Sequence, residues 1–98
     1  MAGTASRVGD AMARALRTIG YAIVAVLLLH ICLVLLQANP ANAFAALVTK
    51  LADVFDLGLS NLFLVDDPRV SVVLNYGAAA LAWLLITAVV VRLVSRIG

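Results

Sequence analysis

The chain is poor in charge and nearly without cysteine: 12% of its 98 residues are charged, no glutamate occurs, and Cys32 is the single cysteine. One cysteine cannot close an internal disulfide, so a disulfide-framed secreted domain is excluded. Water-soluble domains carry about 25% charged and 45–50% apolar residues. This chain is 65% hydrophobic, with a mean hydropathy of +1.15. A soluble chain this short leaves much of its apolar surface in water. A free cytosolic enzyme and a disordered tail are therefore excluded as well, and lipid is the medium that fits the composition.

Two stretches carry the membrane reading. Ile19 to Leu36 is 18 residues long, with His30 as its only charged or histidine residue, and Val70 to Val91 is 22 residues long with none. Roughly 20 apolar helical residues cross a hydrocarbon core of about 30 Å. The second stretch is long enough alone, and the first is when Thr18 and Gln37 are counted at its ends. A secretory leader is the rival for the first stretch, with Arg7, Arg14 and Arg17 ahead of it and Ala41-Asn42-Ala43 as a small-residue cleavage site. A leader of about 43 residues exceeds the usual 15–30, and a retained span is expected instead.

Charge placement gives an orientation. Arg7, Arg14 and Arg17 precede the first span, and Arg92 and Arg96 follow the second. The connection carries Lys50 and Arg69 against Asp53, Asp56, Asp66 and Asp67. Short loops rich in Lys and Arg stay cytoplasmic, so those five arginines read as a cytoplasmic anchor with both termini inside a bacterial inner membrane. The fold expected is all-α: a two-span transmembrane helical hairpin with an N-terminal amphipathic extension and an amphipathic surface helix in the outer loop. Its parts are a cytoplasmic segment over 1–18, transmembrane helix 1 over 19–37, an extracytoplasmic loop over 38–67, transmembrane helix 2 over 68–92 and a cytoplasmic tail over 93–98.

Within the N-terminal segment Arg7, Asp10, Arg14 and Arg17 recur at helical steps, with Val8, Ala11 or Met12, Ala15 and Ile19 opposite. Such a face suits an anionic membrane surface, a partner, or simple anchoring. In the loop, Asn39 reads as an N-cap, Pro40 as the first helical residue and Gly58 as a C-terminal stop. Between them a helix over 40–56 sets Phe44, Leu47, Val48, Leu51 and Phe55 on one face and polar residues on the other. It is expected to lie along the outer surface or in a groove of another protein. Asp66-Asp67-Pro68 repeats the start signal for the second span.

Polar residues inside a membrane are costly and therefore informative. His30 lies at a depth similar to that of Asn75 and Tyr76, so an interhelical hydrogen bond from His30 to one of them, or to a partner chain, is expected. A haem held by His30 in a homodimer is the sharper alternative. Neither span holds a carboxylate, which argues against a proton relay. Cys32 is expected as a buried small hydrophobe.

The strongest packing signal lies in the second span. Gly77, Ala78, Ala79, Ala80 and Ala82 make it slim, and Ala78 and Ala82 have the spacing that lets helix backbones approach closely. Asn75, Gly77, Ala78, Ala82 and Trp83 form the expected helix-packing interface. Leu85 and Val89 continue it, and Gly20, Ile23, Leu27, His30, Val34 and Gln37 on the first span are its natural mate. Trp83, well inside the span rather than in an interfacial belt, is expected to pack on protein.

No catalytic set, phosphate loop, calcium loop or metal-ligand cluster is discernible. The expectation is no enzyme, no cofactor, no metal and no nucleic-acid partner. The run Asn75-Tyr76-Gly77 with its alanines, Trp83-Leu84-Leu85 and Arg92-Leu93, in a chain rich in Ala, Val and Arg, resembles small two-span membrane proteins of high-GC actinobacteria. In size and style it is similar to accessory subunits of the cytochrome bcc–aa3 respiratory supercomplex. The resemblance implies a helix-packing role and transfers no functional residue. The expected function is a non-catalytic accessory or assembly subunit of a larger inner-membrane complex, with lipid and an integral membrane complex as partners. A self-assembling holin-like pore or small channel, hence a homo-oligomer, is the alternative.

Overall fold

The chain folds into three helices, and no strand occurs among the described residues: α1 (Ala2–Leu35), α2 (Ala43–Val54) and α3 (Pro68–Ile97). The computed structural model describes residues 2–97, with side-chain surroundings for residues 7–96. Met1 and Gly98, at the ends of the expected terminal segments, lie outside the described residues. Arg7–Leu35 of α1 and Pro68–Arg96 of α3 are each long and apolar enough to cross a membrane.

No break separates the N-terminal segment from the first long apolar helix: α1 runs through both. Gly9, Ala13 and Gly20 are buried, so one thin stripe continues down the helix. Val8, Met12 and Ile19 of the expected apolar face lie outside that stripe and are exposed. The stripe turns inward because small residues let α3 come close. Thr18, exposed on α1, returns its hydroxyl to the Arg14 carbonyl, and Ser95 on α3 does the same to Val91, which satisfies a polar group without leaving the helix.

α1 ends where Gln37 takes a left-handed φ of 57°. The Ala38 N–H then reaches the Leu33 carbonyl and the Gln37 N–H the Val34 carbonyl, the paired bonds that close a helix C-terminus. α2 starts later than expected. Its cap is Asn42, whose side-chain oxygen accepts from the N–H groups of Phe44 and Ala45. The Asn39 side chain is already engaged by the Ala41 N–H in a local turn, so Asn39 and Pro40 precede the helix rather than open it. α2 stops at Val54, ahead of Gly58, which occupies a left-handed φ of 74° in the turn that follows. α3 opens at Pro68 behind Asp67, whose carboxylate accepts from the Arg69 N–H.

α1 and α3 run antiparallel in a fixed register. Gly20 faces Thr87, and His30 faces Tyr76. A Cβ on Gly20 would sit 2.6 Å from the Thr87 Cγ2 and 2.8 Å from its Cβ, so only glycine permits this approach. The core contains Ile23, Val24, Leu27 and Ile31 of α1, Tyr76, Ala79 and Ala80 of α3, and Ala52 of α2.

Candidate functional site

The position of Ala52 in that core shows that the connecting segment does not rest across the ends of the long helices. Ala45 and Thr49 of α2 share a cavity with His30, Val34 and Gln37. Further along, the Phe55 carbonyl accepts a hydrogen bond of 2.7 Å from the Trp83 indole N–H, and the two rings meet edge to face at 5.9 Å. Trp83 is 15 residues beyond Pro68, about 22 Å along the helix axis. α2 therefore descends beside α1 and α3, and residues 56–67 climb back to the start of α3.

Three side chains of α3 hold this segment in place. Asn75, 2% exposed, accepts from the Phe63 N–H at 2.6 Å and donates to the carbonyls of Ser60 at 2.7 Å and Phe63 at 3.1 Å. The Tyr76 hydroxyl donates to the Asp53 carboxylate at 2.7 Å. Trp83 holds Phe55. His30 completes the cluster by packing edge-on against Tyr76, with centroids 4.5 Å apart. Among the described residues, no buried side-chain nitrogen or oxygen lacks a hydrogen-bond partner.

The arrangement differs from the simple helix-to-helix bond expected for His30. Tyr76 touches His30 through its ring and gives its hydroxyl to Asp53, while Asn75 is occupied by loop backbone. In the sequence Asp53 counts only among the acidic charges of the connection. Its distance from Tyr76 in sequence leaves no periodic signal, so only the descent of α2 brings the two together. No group of three His, Cys, Asp or Glu side chains gathers to hold a metal among the described residues. Cys32 is exposed, not buried: it points off the face of α1 that carries His30 and Ile31.

On α3 the packed face is turned relative to expectation, and on α2 the apolar face divides, with Val48 inward and Phe44, Leu47 and Leu51 outward. α2 buries Ala45, Val48 and Ala52, whereas Phe44 and Leu47 are 56% and 54% exposed and Leu51 is exposed too. Small side chains bring α2 close to its neighbours, which leaves the large ones outward. On α3 the inward residues are Tyr76, Ala79, Ala80, Thr87 and Val91, while Leu85 and Val89 are exposed. Gly77, Ala78 and Ala82 are only half-buried. Nothing lies within 4 Å of where a Cβ on Gly77 would be. Gly77 and Ala78 instead line an open groove of about 550 Å³ with Val24, Leu28, Phe63, Val73, Leu74, Ala80, Leu81 and Leu84. Its walls are almost wholly apolar, and its floor is the thinnest part of α3.

No known family, characterised protein or solved structure is significantly similar to this chain.

Proposed function

We propose that the chain is a non-catalytic accessory or assembly subunit of a larger bacterial inner-membrane complex. In this reading α1 and α3 both cross the bilayer, the arginine-bearing termini are cytoplasmic, and α2 with the loop after it enters the outer half of the membrane and returns. A respiratory complex, of the kind the sequence resemblance points to, is the first candidate.

The groove at Gly77 and Ala78 carries the proposal. Between helices in lipid there is no hydrophobic driving force, so association relies on close packing, and small residues permit it. Here the chain's own helices leave the slim part of α3 uncovered, while Phe63 and the leucines form its walls. Such a surface fits an apolar helix of a partner. The outward Phe44, Leu47 and Leu51 extend the same kind of surface onto α2.

A pore is less well supported. Its lining requires polar groups facing a channel, yet His30, Asn75 and Thr87 are 6%, 2% and 7% exposed within a single chain. They are used in internal packing. A haem on His30 meets the same obstacle, because His30 is buried and packs edge-on against Tyr76.

The test is Gly77→Leu. Its Cβ meets nothing within 4 Å in the isolated chain and Gly77 borders the open groove, and glycine-to-leucine raises helix propensity by roughly 1 kcal/mol, so the fold is expected to be retained. Near-complete loss of co-purifying membrane proteins, with normal levels of the chain itself, is expected. Ala78→Leu should act in the same direction. Unchanged co-purification in both variants contradicts the proposal.

A further inference from the structure

A second groove lies toward the other end of the molecule and shares only Leu84 with the partner face. It is about 540 Å³ in volume, and three of its lining residues are arginines: Arg17 of α1 with Arg92 and Arg96 of α3. No acidic side chain lines it. Asp10, the nearest acid on α1, is seven residues before Arg17, about 10 Å along the axis. Arg7 and Arg14, equally part of the basic N-terminal region, do not line it. The structure thus divides one diffuse positive end into a three-arginine pocket and two outlying arginines.

The rest of the groove is graded. Leu84, Ala88, Arg92 and Arg96 succeed one another at four-residue steps along one row of α3, and side chains so spaced are neighbours on a helix surface. The row passes from apolar to cationic over 12 residues, about 18 Å. One membrane leaflet has a hydrocarbon depth of about 15 Å. Across from it stand Arg17 and Tyr21, one turn apart on α1. The groove is therefore amphipathic along its length in the same sense, and on the same scale, as one phospholipid.

We propose that this groove is a binding site for the phosphate headgroup of an anionic membrane phospholipid, with an acyl chain lying over Ala88 and Leu84. Arg17, Arg92 and Arg96 hold the phosphate oxygens. Guanidinium groups suit this role because they stay charged and offer paired donors to phosphate. The Tyr21 hydroxyl supplies a further donor at the headgroup. The Ser95 hydroxyl is already bonded to the Val91 carbonyl and serves only as wall. Three cations without a lining acid favour a lipid of net negative charge over a zwitterionic one, as basic pockets between membrane helices do elsewhere. The inference requires the chain to be embedded in a membrane but not the partner complex proposed above.

The protein is extracted in mild non-ionic detergent and its retained lipid read by native mass spectrometry. After delipidation, phosphatidylglycerol, phosphatidylcholine and inorganic phosphate are titrated separately while the thermal midpoint is followed. Phosphatidylglycerol is expected to be retained and to raise the midpoint, with the other two ineffective. Replacing Arg17, Arg92 and Arg96 together by Gln should cut retention by roughly tenfold or more, as loss of charge-assisted bonds implies. Ala88→Trp keeps every charge, fills the apolar floor, and should also weaken retention. Equal effects of phosphatidylcholine and phosphatidylglycerol overturn the proposal. An equal shift from inorganic phosphate reassigns the groove to a free anion and overturns it too. Where the triple variant fails to insert, the lipid selectivity of the unaltered protein decides alone.

Discussion

Trp83 and Phe55, 28 residues apart, are joined by a 2.7 Å hydrogen bond from indole N–H to backbone carbonyl and by an edge-to-face ring contact. That contact fixes how far the connecting segment descends beside the two long helices. Replacing Trp83 by Phe keeps an aromatic ring near Phe55 but removes the donor. A net hydrogen bond contributes about 1 kcal/mol, and a carbonyl left unpaired in apolar surroundings costs about 1–3 kcal/mol. The expected result is a lower unfolding midpoint in detergent, with helix content by circular dichroism almost unchanged.

Asn75 makes three bonds to the backbone of Ser60 and Phe63. Asn75→Ala removes all three and should release the loop while α1 and α3 stay packed. Limited proteolysis should then cut between 57 and 67, where the unaltered protein resists. Asn75→Asp keeps the acceptor but loses both donors, and should give an intermediate rate of cleavage.

Gly20 marks a close approach between α1 and α3. Gly20→Ala forces a Cβ onto the Thr87 side chain, and overpacking of this kind costs about 1–3 kcal/mol. Thr87→Ala removes the hydroxyl and methyl that the new Cβ would meet, so the double variant should recover part of the loss. Additive destabilisation in the double variant would show that the two residues are not in contact.

The proposed descent of α2 into the membrane can be read by labelling. In a Cys32→Ala background, Ala41→Cys and Leu57→Cys place a thiol at two positions that are both exposed on the isolated chain. An impermeant maleimide applied to intact cells or oriented vesicles should label position 41 readily and position 57 poorly. In detergent-denatured protein both should label alike. Equal labelling in the native membrane places the segment in water.

Much of the architecture was legible in the sequence because hydropathy and length speak directly to it. Two long apolar helices follow from the runs around Ile19 and Val70, and Asp67-Pro68 is a local signal that the backbone obeys. The start of α2 was less legible, since Asn39 and Asn42 both have cap chemistry and the choice depends on a turn formed by Asn39 itself. The depth of α2 was not legible at all. Periodicity says that Phe44, Leu47 and Leu51 share a face, but not whether that face meets protein or lipid. The outcome depends on Ala45, Val48 and Ala52 packing closely, a contact between elements that no pattern within one helix encodes. The same reason hid Asp53 as the partner of Tyr76.

The measurement that reaches the functional claim most directly is a native pull-down. The tagged protein is recovered from its own host in mild detergent, and the stoichiometry of what accompanies it is read by mass spectrometry. The account predicts a near-stoichiometric set of larger integral membrane proteins, lost when Gly77 becomes Leu. Recovery of the chain alone, as a defined homo-oligomer, contradicts it.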